Sequence, residues 1–184
     1  MGSWEKSKDQ LLAEWRASRE LFAKCHRRKY GDDAPPPAWK VFETATFGIL
    51  TRYYGNVMPN DPAAKAVAAF WGLQPVVLFS WLLHLNTVRN LCAHHCRLFS
   101  AALPQAPKYP NNRAAPAVLR AGRWPNPNQP YATFAVLALL LKRCRPEYPF
   151  GRLAGELLQG AAPRHLQAMG FPPGWRNEPL FAGW

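Results

Sequence analysis

Acidic residues are scarce in this chain. Against 23 Lys and Arg it sets 11 Asp and Glu, a formal charge of +12 over 184 residues. That imbalance disfavours a cationic partner and favours a polyanion, with RNA or DNA ahead of an anionic membrane surface. Uninterrupted apolar runs of the roughly 18–20 residues needed to span a bilayer are missing as well. Residues 76–85 already contain Ser80 and His84, and residues 131–141 run into Lys142-Arg143. The N-terminus is charged from Glu5 onward and has no signal-peptide pattern, so no membrane role and a cytoplasmic location are expected. Four cysteines (25, 92, 96 and 144) are too few and too irregular for a disulfide framework, which fits a reducing compartment. A Gly-rich phosphate loop and a metal-binding carboxylate pair are both lacking, which argues against a small kinase or nucleotidyltransferase. Nor is there an internal repeat or the period-two alternation of strands. An all-α bundle remains, and the length suits a single domain with a real core.

What the chain does have is helical periodicity broken by Pro and Gly. Residues 4–30 read as a long polar helix, with Leu11, Leu12, Trp15, Leu21 and Phe22 at roughly helical spacing. Gly31 to Pro37 is a turn, and residues 38–54 form a second helix ended by Gly55-Asn56. Asp61-Pro62 caps a short helix through Phe70, stopped at Gly72. A strongly helical pattern follows over residues 75–100. Residues 101–130 are rich in Pro, Asn and Arg and read as a long irregular loop. Its Lys108, Arg113, Arg120 and Arg123 suggest an RNA-contacting flap, and its Trp124, with Tyr131, suggests an ordered wrap over the core. Helices over residues 131–144, 151–159 and 164–169 close the chain. Basic clusters stand at His26-Arg27-Arg28-Lys29 and around Lys142, Arg143 and Arg145. Either could be a solvated face, and the overall charge excess shifts them toward nucleic acid.

The segment VRNLCAHHCRLF, residues 88–99, is where chemistry is expected. On a wheel advancing about 100° per residue, Asn86, His94 and Arg97 fall within about 40° of Asn90. Trp81, Leu85, Val88, Cys92 and Phe99 lie opposite. Arg89 is about 100° away, within reach of the polar stripe by its long side chain. Imidazole exchanges protons near neutral pH, guanidinium offers phosphate a forked, permanently charged donor set, and an amide orients either without adding charge. Together they suit a phosphodiester, and they need no metal. The competing reading is a helix face whose polar groups bond only to nearby backbone. His95, about 140° round, sits at the margin of the apolar face and has a packing role as its alternative. His84 shares that side and is expected to be structural, while His26 and His165 lie in basic polar surroundings and carry no signal. Cys92 and Cys96 with His95 raise a zinc site, but no second ligand pair appears apart from Cys25-His26. Small buried cysteines on the apolar face are the preferred reading, with no metal and no cofactor.

Arg89-Asn90-x-x-x-His94 within LNTVRNLCAHHCRLF resembles the Arg-x4-His signature of the HEPN ribonucleases, and more narrowly the Abi-like abortive-infection proteins of bacteria. PPPAWKVFETATFGILTRYYGNV resembles that family's preceding helix, and YATFAVLALLLKRCRP and MGFPPGWRNEPLF resemble its closing segments. The likeness covers the chain from about residue 20 to its end. Phe99-Ser100 stands where the family pattern has Trp-Asn, which keeps an aromatic anchor and a polar end. Relatives carry a longer region ahead of the equivalent of Ser18 to Tyr30, so a short member, a fragment or half of a split system are all open.

The resemblance implies a HEPN-like bundle and a metal-independent endoribonuclease of phage defence. It implies cleavage by the 2′-hydroxyl, leaving a 2′,3′-cyclic phosphate and a 5′-hydroxyl. Arg89, Asn90 and His94 are the expected catalytic residues, with Asn86, His95 and Arg97 positioning the RNA. Expected partners are RNA, a second copy or a related HEPN chain completing a composite site, and a neutralising RNA or protein. The alternative is a non-catalytic RNA-binding or interaction module on the same fold.

Overall fold

A computed structural model describes residues 3–57, 60–110 and 126–181. Every regular element among the described residues is helical: nine α-helices and one short 3-10 turn, with no strand. The chain divides into two compact units, residues 1–64 and 65–184.

In the first unit, α1 (Ser3–Ala17) carries Ser7, Leu11 and Trp15 at four-residue intervals, and all three are buried. This stripe packs against α3 (Ala38–Thr44) and α4 (Phe47–Val57). The long helix expected over residues 4–30 is two helices, because the chain breaks between α1 and α2 (Leu21–Tyr30). Arg27 explains how the break is tolerated. Its guanidinium donates to the Trp15 and Ser18 carbonyls at 2.8 and 2.7 Å, satisfying acceptors that the end of α1 leaves open. The helix expected over residues 38–54 is also divided. Thr46 accepts from the Ile49 N–H at 3.4 Å as the N-cap of α4, while its own N–H donates to Glu14 Oε2 at 2.6 Å. Gly55-Asn56 does not end α4; the Asn56 amide bonds the Ser7 hydroxyl of α1, and the helix runs on to Val57.

His26 departs from its expected polar setting. It is buried, edge-on to Trp15 at 5.4 Å, with Nδ1 3.2 Å from Lys40 Nζ. Burial, reinforced by the Lys40 and Arg27 charges, holds its pKa below the ordinary value. Two members of the His26–Lys29 basic cluster thus serve the fold of this unit.

Helix α5 (Pro62–Phe70) opens as expected, with Asp61 Oδ1 accepting from the Ala63 N–H at 2.7 Å. It closes on Gly72 at φ 68, with Gly72 N–H on Ala69 O and Leu73 N–H on Ala68 O. That is the paired hydrogen-bond pattern of a glycine-terminated helix.

In the second unit, α6 (Pro75–Ala93) packs against α7 (Pro130–Cys144), which packs against α8 (Phe150–Leu157). The buried face of α7 is mostly small (Ala132, Ala135 and Ala138 beside Tyr131 and Val136), which lets neighbours approach closely. After α9 (Pro163–Ala168), Phe171, Trp175 and Phe181 form an aromatic cluster with Tyr131; neighbouring ring centroids lie 4.9–5.2 Å apart from Tyr131 through Phe171 and Trp175 to Phe181.

One expectation about length is corrected here. α6, at 19 residues with a mean hydropathy of 1.2, is long and apolar enough to cross a membrane by length and composition alone. The expectation asked for an unbroken apolar run, and α6 reaches that mean hydropathy despite its polar residues. Trp81 and His84 at its centre are fully buried against protein, and 33% of the apolar window is buried.

Candidate functional site

Helix α6 starts where Pro75 occupies the first helical position and Gln74, extended at φ −82 and ψ 150, accepts from Val77 and Leu78. Val77, Trp81, His84 and Val88 repeat at helical spacing and are buried. The polar groups among them are all engaged. Ser80 Oγ donates to Val77 O and accepts from Lys108 N–H at 2.9 Å; Trp81 Nε1 donates to Lys108 O at 2.9 Å. His84 is held at both ring nitrogens, with Nδ1 2.6 Å from Gln105 O and Nε2 2.8 Å from Thr133 Oγ1. A carbonyl only accepts, so Nδ1 carries the proton and Nε2 accepts from the Thr133 hydroxyl. Burial lowers the His84 pKa, against a smaller raising effect of the Gln105 carbonyl, and so favours that neutral form. His84 is structural, as its place on the wheel implied.

The same contacts bear on the long loop. Residues 101–110 form an ordered strap across α6. Leu103 N–H donates to Asn128 O and Asn128 Nδ2 donates to Leu103 O, both at 2.6 Å, tying the two described ends together. Lys108 takes part through its main chain. Arg113, Arg120, Arg123 and Trp124 lie outside the described residues.

The final turn of α6 is different. Arg89 is exposed and Asn90 half-buried, and Arg89 Nη1 donates to Asn90 Oδ1 at 2.9 Å. Among the described residues the remaining guanidinium N–H groups and the Asn90 amide nitrogen have no other hydrogen-bond partner. Asn86 is half-buried one turn earlier. His94 caps the helix and keeps its register, since its N–H still bonds Asn90 O at 3.0 Å. The Asn90–His94 pairing along one edge is therefore a feature of the backbone, Arg89 joins it through its bond to Asn90, and His94 is exposed.

Beyond His94 the helix expected over residues 75–100 does not continue. His95 adopts φ 57, its N–H bonds Cys92 O at 3.0 Å, and Cys96 N–H bonds Leu91 O at 2.8 Å. This is the termination seen at α5, with histidine where α5 has glycine. Arg97 thus leaves the wheel: its expected place within about 40° of Asn90 required a continuous helix. His95 is exposed and does not pack on an apolar face. Cys92 and Cys96, expected to be small buried residues, are exposed too, because the covered stripe of α6 ends at Val88. Among the described residues no three His, Cys, Asp or Glu side chains gather as a metal-binding group. Leu98 is half-buried, and Phe99 stands edge-on to the His165 ring of α9 at 5.3 Å, anchoring the segment that leaves the helix. Ser100, at φ 55, is the other described non-glycine residue with a left-handed backbone.

The electrostatic setting is uniform. Between Asp61 and Glu147 the sequence has no carboxylate side chain, while Arg89, Arg97 and Lys108 all fall in that interval. An anion approaching the end of α6 meets donors and positive charge without a nearby acid in sequence. The backbone turn at His95, and the pair Arg164 and Arg176 on a cleft of the same unit, were missed by sequence reasoning.

The Abi-like protein family model matches residues 3–100, more than half of the chain. The chain belongs to the Abi-like family. The match ends at Ser100, so it takes in α1 through α6 and the motif, and leaves out the two closing segments that also looked family-like. It begins at residue 3, earlier than the likeness read from about residue 20. No curated protein and no solved structure matches the chain.

Proposed function

We propose that this Abi-like protein is a metal-independent endoribonuclease of the HEPN type, acting on RNA in the cytoplasm. Family membership itself points to abortive infection, the bacterial defence that halts phage growth. The observation that carries the enzymatic reading is the end of α6. There Arg89 is bonded to Asn90, and His94 keeps helical register with Asn90. His94 exchanges a proton, Arg89 meets the phosphate oxygens, and Asn90 holds the guanidinium in place. In the reaction the RNA 2′-oxygen bonds to phosphorus as its proton passes to a base, and the bond from phosphorus to the 5′-oxygen breaks as that oxygen takes a proton. The products are a 2′,3′-cyclic phosphate and a 5′-hydroxyl.

One helix edge supplies a single imidazole in register with Asn90, whereas the reaction uses both a base and an acid. A second copy of the chain, or a related one, brings the other, and two-fold pairing is the commonest way for copies to meet. His95 and Arg97, carried past the turn, reach the RNA backbone from the flank, and Asn86 extends the amide edge. A neutralising RNA or protein partner would cover the same exposed groups.

The test is incubation of purified protein with labelled RNA in EDTA, with the product ends identified. Cyclic-phosphate ends are expected, and mixing Arg89→Ala with His94→Ala protein should restore part of the activity. Cleavage that needs added magnesium or zinc would overturn the mechanism. RNA bound but never cut would favour the alternative of a non-catalytic RNA-binding module.

A further inference from the structure

The second unit holds a cleft of about 670 Å³ that none of the motif residues lines. Its wall runs from Pro163 and Arg164 of α9 through Phe171, the Pro172-Pro173 turn and Trp175 to Arg176 and Asn177. This volume falls in the range of small-ligand pockets. Among the described residues the lining includes two arginines and two amides, Gln167 and Asn177, and no carboxylate. Arg176 lies over the Trp175 ring at 5.4 Å and gives Nη2 to Gly155 O at 3.1 Å, which fixes its plane while leaving other donors unused. The floor is apolar, formed where the otherwise buried Phe171 and Trp175 reach the surface, and consecutive prolines stiffen the turn that closes it.

Its position gives it a relation to the motif. His165, which follows Arg164, is the residue whose ring receives Phe99 at 5.3 Å. Phe99 comes two residues after Arg97, so the segment leaving α6 rests on the helix that forms one wall of the cleft.

We propose that this cleft binds one nucleotide of a single-stranded RNA, with Arg164 and Arg176 drawing its phosphate and the base lying on the Phe171–Trp175 side. A positively charged groove holds the backbone of a single strand without reading sequence, and Gln167 and Asn177 offer donors and acceptors to a base edge. The choice of RNA rests on the ribonuclease reading above, while the cleft's preference for an anionic ligand stands on its two arginines.

The experiment measures anisotropy of a short fluorescein-labelled single-stranded RNA bound to the full chain carrying His94→Ala, so that binding is read without cleavage. Arg164→Glu with Arg176→Glu should weaken binding about tenfold or more. Losing that one phosphate contact should also flatten the log–log salt dependence by about 0.7. Lys6→Glu with Lys8→Glu, an equal charge change on exposed positions of α1, should cost less than about twofold. Equal losses in the two variants would mean diffuse attraction and would overturn the proposal. Gln167→Trp, which fills the cleft and keeps both arginines, covers the case in which the charge reversal unfolds the protein; undiminished binding there overturns the proposal as well. So does charge reversal that abolishes binding to anionic phospholipid vesicles and spares RNA. Tight RNA binding through the cleft without cleavage by the unmutated chain sinks the ribonuclease reading alone. Cleavage with variants that bind normally sinks the cleft alone.

Discussion

Within α6, Ser80, Trp81 and His84 commit every polar side-chain atom to the strap, to α7 or to their own helix, whereas Arg89 in its last turn and His94, His95 and Arg97 just past it are exposed. The same residue type, histidine, stands in both regions with opposite surroundings. At His84 an imidazole is a two-way connector whose loss would orphan a carbonyl and a hydroxyl. At His94 it faces solvent at the end of a helix, beside a permanently charged group in sequence register. Polar residues on a core helix are thus of two kinds, and burial with satisfied partners separates them more sharply than their place on a wheel.

Substitution can break that contrast. The largest effect is expected in RNA cleavage. Arg89→Ala and His94→Ala should each lower the rate by about 10²–10⁴-fold, as losses of charge-stabilising or proton-transfer groups do. Thermal stability should hardly change, since both side chains are exposed. If His94→Ala cleaves at full rate while His95→Ala is dead, the register argument has chosen the wrong imidazole.

His84→Ala should do the reverse. It removes two hydrogen bonds and opens a cavity in the core, which together cost about 2–4 kcal/mol. Denaturant midpoints should fall accordingly, and any lost activity should track the unfolded fraction. A variant as stable as the parent would mean that the strap does not hold α6.

Acid should expose the same contrast. Burial holds the pKa of His84 below its ordinary 6.5 in the folded chain, and His26 is shifted in the same direction, by burial and the nearby Lys40 and Arg27 charges. Below the ordinary value the unfolded chain therefore binds protons that the folded chain refuses, so this contribution favours unfolding as the pH falls from 6.5 toward the lowered folded values. Above 6.5 it is absent. Thermal melts should show a decline setting in below that point, weaker in the His84→Gln variant. A melting temperature flat across that window would contradict the burial argument.

Several of these features were legible in the residues. Asn90 and His94 are four apart, so one helical turn fixes their shared edge, and the Asp61 cap and the structural role of His84 follow equally from local pattern. What was hidden lies where main-chain atoms or distant side chains decide. Arg27 satisfies carbonyls of another helix, twelve residues back in the case of Trp15. The strap holds Trp81 through the Lys108 backbone, which no side-chain pattern announces. Cys92 follows the wheel yet lies past the end of what covers it. A histidine at a helix terminus gives no sign comparable to glycine, which is why the wheel puts Arg97 on a stripe it does not share.

That terminus supplies the smallest effect. α5 and α9 both end with glycine in the left-handed position, Gly72 at φ 68 and Gly170 at φ 84, and α6 ends on the same hydrogen-bond pair with His95 at φ 57. Histidine is among the non-glycine residues found in that region more often than most, but its Cβ still costs about 1–2 kcal/mol relative to an unhindered backbone. Glycine relieves the clash and gives back part of the gain through its larger unfolded-state entropy. His95→Gly should therefore stabilise the chain by about 0.5–1 kcal/mol, seen as a modest rise in denaturant midpoint. If the imidazole of His95 also touches RNA, the same variant loses cleavage while gaining stability, and the two readouts move apart. Gain in both would make His95 a backbone residue only, leaving His94 as the sole imidazole of the site. A loss of stability would mean that the His95 ring makes a contact that holds the turn, and the strain argument would fail.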